Sequence, residues 1–232
     1  MYILRSHGFL ILSQEYRFWI AIPVFVLSKV ATILWNLQDL LIILISMGLS
    51  SRYCRLNEYT KSLITGRNEP FKHVNSHNYR HKHLWRKLRK AYVHQADLVR
   101  ALDKHLGPLI LLSNINNLYF ICLQLYLGIR MTNTDWISRL YYVTSLTWLL
   151  FRACSVVLAA SEISVQSQHV LPFLRQCSRN TYNIEINRLT NQLTYDNIAL
   201  SGMGLFSLTR KNLLQVIAAV IKYELILLQF DK

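Results

Sequence analysis

The sequence predicts an all-α, polytopic transmembrane helix bundle, and three observations carry that prediction. Hydrophobic residues make up 52% of the 232 and charged residues only 16%, against about a quarter charged in ordinary soluble domains. The chain is nevertheless basic, with 26 Lys and Arg against 12 Asp and Glu and a net charge of +14, while its mean hydropathy stays positive at +0.21. Charge and grease are therefore segregated along the chain. Residues 51–105 hold 13 basic and 4 acidic side chains, whereas residues 105–129 form a run of 25 without Asp, Glu, Lys or Arg. A helix of that length rises about 37 Å, more than the roughly 30 Å of hydrocarbon in a bilayer. Seven glycines and four prolines in the whole chain favour long helices over a barrel of short alternating strands.

Four spans follow in order. The first covers residues 21–50, apolar except for Lys29, Asn36, Gln38 and Asp39. The second is the uncharged run ending near Ile129. The third covers residues 136–160 and carries Arg139 near its start and Arg152 in its interior. The fourth, residues 212–230, is interrupted by Lys222, Glu224 and Gln229. Lys and Arg accumulate in loops that face the cytosol. Segments 51–105 and 161–211 together hold 18 of the 26 basic residues, and the stretches on the opposite side hold five. Both large loops are thus expected in the cytosol and both chain ends outside. Met1 lies outside on this count although residues 1–13 lack the features of a signal peptide. An odd number of further spans upstream would return the N-terminus to the cytosol.

Within segment 51–105, Leu84, Leu88, Tyr92 and Val99 recur at spacings of four and seven, and Leu63 lies three sevens before Leu84. That spacing predicts a helix, broken around Gly66, Asn68 and Pro70. Such a helix either touches anionic head groups or continues a span into the cytosol and packs on its neighbours; the apolar register favours packing. Aromatics are not interleaved with the basic run, which argues against nucleic acid.

Little points to enzymatic chemistry. Cys54, Cys122, Cys154 and Cys177 have no CxxC spacing and no pair on the outer side, so a disulfide framework is not expected. Of His73, His77, His81 and His83, a spacing of four puts the first three on one helix face, but no cysteine or well-placed carboxylate completes a metal site. GxSxG, HExxH, P-loop and Rossmann patterns are absent, and neither enzyme activity nor a cofactor is expected.

The informative residues are polar groups at membrane depth. Trp35, Asn36, Gln38 and Asp39 set an indole beside two amides and a carboxylate, a combination suited to a sugar: the ring packs on C–H groups and the polar groups pair with vicinal hydroxyls. The same residues could equally bind neighbouring helices. Gln124 and Tyr126 sit toward the outer half of the second span, within reach of a pocket open to the outside. Arg152 either pairs with a carboxylate such as Asp39 or snorkels. In the fourth span, Gln229 and Phe230 would make a polar and apolar constriction if copies of that helix lined an axis, and packing alone is the alternative.

The stretch KYELILLQF, Lys222 to Phe230, resembles the last-helix signature of insect gustatory receptors, Thr-Tyr followed by five mostly apolar residues and Gln-Phe, with Lys222 in place of the Thr. Residues 199–210, ALSGMGLFSLTR, look like the approach to that helix, and residues 35–52 and 112–125 are similar to the sugar-sensing branch. The resemblance implies a sweet-taste receptor subunit acting as a sugar-gated, non-selective cation channel in the cell membrane. It implies a homo- or hetero-tetramer surrounded by lipid, the four spans being the last four of seven and the C-terminus extracellular. Residues 1–160 then belong to a ligand-binding bundle with cytosolic extensions in 51–105, and residues 161–232 to a connector and pore-lining helix. Gln229 and Phe230 match the narrow outer pore and Tyr223 the residue that packs that helix. The resemblance covers the region from about residue 20 and reads the chain as the C-terminal part of a receptor. A truncated or non-conducting subunit that assembles with full-length receptors is the alternative. A G-protein-coupled receptor would carry its termini the other way round, and a secondary transporter would show a repeat.

Overall fold

The structure, a computed structural model, describes residues 18–65, 77–129, 136–177 and 184–211, together with 214, 215, 217, 218, 221 and 222. It is built of helices: α1 (Phe18–Ile64), α2 (His77–Ile129), α3 (Trp136–Gln168), α4 (Leu171–Arg175) and α5 (Ile184–Tyr195). The only β-pairing among the described residues is an isolated antiparallel bridge, Ser201 to Ser207. Arg210, Lys211, Leu214, Gln215, Ile217, Ala218, Ile221 and Lys222 are helical positions of a further C-terminal segment. The chain divides into two compact units between Leu41 and Ile42.

In the first unit, α1 exposes apolar side chains on most sides, among them Ile22, Val26, Leu27, Val30, Ile33, Leu34 and Leu37. A helix greasy around its circumference is one that spans a membrane or is enclosed by other helices. Lys29 Nζ stands 5.4 Å from the Phe25 ring centroid, which gives the cation an aromatic face at that depth.

Helix length is the main departure from the sequence expectation. α1 has 47 residues and α2 has 53, so they rise about 70 and 80 Å against roughly 30 Å of hydrocarbon. α1, α2 and α3 are each long and apolar enough to cross a membrane; α1 runs past residue 50 to Ile64, α2 begins well before the uncharged run and ends with it at Ile129 as expected, and α3 begins at Trp136 as expected but runs past 160 to Gln168. The outward faces show where the solvent changes. α1 exposes Leu44 and Met47, then Ser51, Arg52, Arg55 and Glu58; α2 exposes Lys82, Arg86, Lys87, Lys90 and Lys104, then Leu109, Leu112, Ile115 and Leu118. Both helices thus leave the hydrocarbon and continue as water-facing extensions. The region around Gly66, Asn68 and Pro70 lies outside the described residues, α1 ending just before it.

The second unit has its core mostly in those extensions. Leu49, Tyr53, Trp85, Leu88, Tyr92, Val99, Ile163, Leu174, Ile186 and Leu189 are buried members of one cluster, with Leu63 packed against it. The buried stripe of α1 runs Ile42, Ser46, Leu49, Tyr53, Asn57 and Thr60, steps of three and four that keep one face inward. Half of it is polar, and a network satisfies the part near Asn57. The Tyr92 hydroxyl donates to Asn57 Oδ1 at 2.8 Å and lies 3.2 Å from Thr60 Oγ1. Asn57 Nδ2 donates to the Gln166 carbonyl at 2.8 Å, Gln166 Nε2 to Glu162 Oε1 at 2.8 Å, and Arg210 Nη2 to Glu162 Oε2 at 2.7 Å. The series joins α1, α2 and α3 to the first residue of the C-terminal helical segment.

Replacing Tyr92 by Phe keeps the ring and removes the donor to buried Asn57, so it costs about 1–3 kcal/mol. A lowered thermal unfolding midpoint in nanodiscs checks this, with exposed Tyr59→Phe as the control that leaves the midpoint unchanged.

Candidate functional site

The segment leading from α5 to the C-terminal helix is docked on α2 at successive levels. Arg89 Nε donates to Glu185 Oε2 at 2.9 Å and Arg100 Nη2 to Asp196 Oδ1 at 2.7 Å. The two pairs are eleven residues apart on both strands of the contact, close to three helical turns, so α5 runs beside α2 in matching register. α5 turns Ile186, Leu189 and Leu193 inward between these pairs. Two of the basic residues counted as a cytosolic excess therefore fasten the connector.

The third level is Asp103. Its carboxylate accepts from the Ser201 backbone N–H at 2.5 Å and from the Ser201 hydroxyl at 2.8 Å, and that hydroxyl accepts from the Gly204 N–H at 3.0 Å. Ser201 opens a hairpin closed by Gly202 N–H to the Phe206 carbonyl at 2.9 Å and Leu208 N–H to the Leu200 carbonyl at 2.8 Å. Met203 and Gly204 at its tip have φ of 56° and 76°, the two consecutive positive values of a type I′ turn. Gly204 takes its value freely, and Met203 takes it at a steric cost. Gly107 of α2 is where the hairpin touches: a Cβ there would lie 3.1 Å from Met203 N, so a larger residue would push the hairpin back by a few tenths of an ångström. Pro108 follows within the same helix and removes the N–H that would bond Lys104.

The expected ligand residues divide between the two units. Trp35, Gln38 and Asp39 lie at i, i+3 and i+4 of α1, one face of the helix; Trp35 and Gln38 are half-buried, Asp39 is buried and Asn36 is exposed. Asn36 Nδ2 donates to the Thr32 carbonyl one turn back at 2.9 Å. In the second unit, Gln124 Nε2 donates to Ser145 Oγ at 2.7 Å, joining α2 to α3, while its buried Oε1 accepts no hydrogen bond. Tyr126 is 37% exposed. Arg152 Nη2 donates to Asn117 Oδ1 at 2.9 Å, a partner that neither sequence alternative named. Tyr223, Gln229 and Phe230 lie outside the described residues, as do Glu224 and His73. Lys222 is exposed. Cys54 is exposed and Cys122, Cys154 and Cys177 are half-buried, and none of the four is in a disulfide.

The family model described as trehalose receptor matches residues 1–232. The chain belongs to the trehalose receptor family. This family member is 32% identical to the gustatory receptor for sugar taste 64a of Drosophila melanogaster, over all of its own length and 48% of that receptor. It is 31% identical to the gustatory receptor for sugar taste 64f of the same fly, over its full length and 46% of that protein. To the fly's gustatory receptor 5a for trehalose it is 31% identical, again over its full length and 49% of the relative. The chain spans about half the length of the curated relatives it matches. Family membership and three membrane-capable helices make it a membrane protein of gustatory receptor type.

In this trehalose receptor family member, the sequence reading missed the fastening of connector to α2. Burial opposes ionisation of Glu185, but the hydrogen bond and charge of Arg89, with Arg188 at 3.1 Å, outweigh it and hold the carboxyl below its usual value. A carboxylate so depressed contributes stability above the unfolded value near 4.5 that is lost as pH falls through the folded one. The wild-type melting midpoint therefore drops on acidification below about pH 4.5. Glu185→Gln lowers the midpoint at pH 7 and flattens that acid slope; an unchanged slope would show that the pair carries none of it.

Proposed function

We propose that the chain is part of a gustatory, sweet-taste receptor subunit acting as a sugar-gated, non-selective cation channel. The observation that carries this reading is the family match along the whole chain, together with relatives named for sugar taste and for trehalose. On this reading its four spans are the last four of seven in the cell membrane, with loops 51–105 and 161–211 cytosolic and the C-terminus extracellular. Subunits assemble as homo- or hetero-tetramers. Residues 1–160 serve ligand binding and its cytosolic extensions, and residues 161–232 serve as connector and pore helix, with Tyr223 packing that helix and Gln229 and Phe230 at the narrow outer pore.

Sugar contacts are assigned to Trp35, Asn36, Gln38 and Asp39, with Gln124 and Tyr126 behind them. The single helix face shared by Trp35, Gln38 and Asp39 supports the first group. The open Gln124 Oε1 supports the second, because it can accept from a hydroxyl. Gating is a population shift: sugar binds the open arrangement better and draws the equilibrium toward it. α2 is the lever, since it carries Gln124 near one end and grips the hairpin through Asp103 and Gly107 near its middle. A shift in α2 reaches the final helix through backbone held by a carboxylate.

Asp39→Asn in cells expressing the receptor shifts the sugar dose response to about tenfold higher concentration, the loss of one charge-assisted hydrogen bond, at normal surface level. An unchanged dose response removes Asp39 from the site. Gln229→Glu changes cation selectivity or conductance in patch-clamp recordings, and no change in either removes Gln229 from the pore.

A further inference from the structure

A cavity of about 300 Å³ lies between α2, α3, the hairpin and the described residues of the C-terminal helical segment. Ile121 of α2, Cys154 and Val157 of α3, Phe206 of the hairpin and Ile217 and Ile221 of the C-terminal segment form its walls. Its volume stands at the lower end of the range for small-molecule sites. Among the described residues, no charged side chain lines it.

Two amides give it polarity, and their bonding defines what can enter. Asn117 is committed, its Oδ1 accepting from Arg152 at 2.9 Å and its Nδ2 donating to Ser113 Oγ at 3.3 Å. Asn114 Nδ2 donates to the Ile110 carbonyl at 2.8 Å, which leaves its carboxamide oxygen able to accept and its second N–H able to donate. The cavity thus offers one amide group, an acceptor beside a donor, in an apolar room. A sugar inside it would bury several hydroxyls without partners, at a cost of kilocalories each, and a charged head group would be buried without a counter-charge. A hydrocarbon body bearing a single hydroxyl can donate to that oxygen or accept from that N–H and buries no other polar group. The depth agrees, because the α2 wall belongs to the uncharged run 105–129 and the α3 wall to a stretch whose outer face shows Phe151 and Leu158. Molecules reach such a site from the bilayer.

We propose that this cavity is a binding site, separate from the sugar contacts, for an uncharged apolar alcohol dissolved in the membrane, of the medium-chain alkanol kind. Its walls come from α2, α3, the hairpin and the C-terminal segment together, so occupancy favours whichever arrangement of those elements keeps the cavity open. The effect on gating rests on the channel reading above; occupancy does not, and the experiment reads occupancy.

The purified full chain in lipid nanodiscs is photolysed with a diazirine-bearing octanol, and adducts are mapped by mass spectrometry. Adducts are expected at Ile121, Cys154 and Val157, reduced about tenfold by unlabelled decanol at roughly ten times its dissociation constant, as mass action requires. Ala153→Phe, which fills the cavity from its α3 wall, gives the same loss there and leaves adducts at lipid-facing Phe151 and Leu158 unchanged. If that variant loses helicity, the decanol competition in the wild type decides alone. Adducts spread evenly over Phe151, Leu158 and the cavity residues, and unaffected by decanol, would overturn the proposal.

Discussion

Two helices more than twice as long as the hydrocarbon of a bilayer is thick impose the constraint on which the rest depends. Because α1 and α2 cannot end in the hydrocarbon, each serves two solvents and changes its outward face midway, from leucine and isoleucine to arginine, lysine and glutamate. The inward face does not change in the same way. It becomes more aromatic and more polar outside the membrane, where Tyr53 and Tyr92 approach with ring centroids 6.5 Å apart and Asn57 and Thr60 complete a hydrogen-bonded network. In lipid the hydrophobic effect does not drive helices together; in water it does. The extensions are therefore where burying Trp85, Leu88 and Val99 stabilises the bundle most, and where the chain has its core.

That core fixes the approach to the C-terminal helical segment. Fastening α5 and the hairpin to α2 by Arg89, Arg100 and Asp103 sets the segment's starting position by side chains of a neighbouring span. Each contact alone is modest, and exposed Arg100 contributes little in a screened solvent. Asp103 differs because its acceptors hold backbone: one carboxylate satisfies the N–H and the hydroxyl of Ser201 together. Met203 holds a positive φ that a methionine adopts only at a cost, so packing at Gly107 and the turn around it must hold it there.

The sequence made the helical class and three membrane-capable segments legible, because absence of charge over some 25 residues is a local signal of length and composition. It also revealed one buried face, since Leu88, Tyr92 and Val99 repeat at helical spacing and all three are buried. Trp85 escaped notice although it is fully buried, being enclosed by His83, Arg86 and Lys87. The pairs Arg89 with Glu185, Arg100 with Asp196 and Asp103 with Ser201 were illegible for a different reason. Partners 96 to 98 residues apart leave no local pattern, and their charges read simply as a basic segment. Arg152 with Asn117 and the cavity beside them were hidden likewise, because a cavity is a property of several elements at once. Gln124 stood out in the sequence by its polarity at depth, and its hydrogen bond to Ser145 did not.

The account's central claim is that one continuous helix passes from hydrocarbon into water near residue 50. Power-saturation spin-label scanning of outward positions on α1, in nanodiscs, tests it most directly. Labels at Leu34, Leu37, Leu44 and Met47 should collide with oxygen, those at Arg52, Arg55 and Glu58 with a water-soluble nickel chelate, and helical periodicity should persist throughout. Oxygen-dominated labels at Arg55 and Glu58, or chelate access extending back through Leu37 and Leu44, would contradict it.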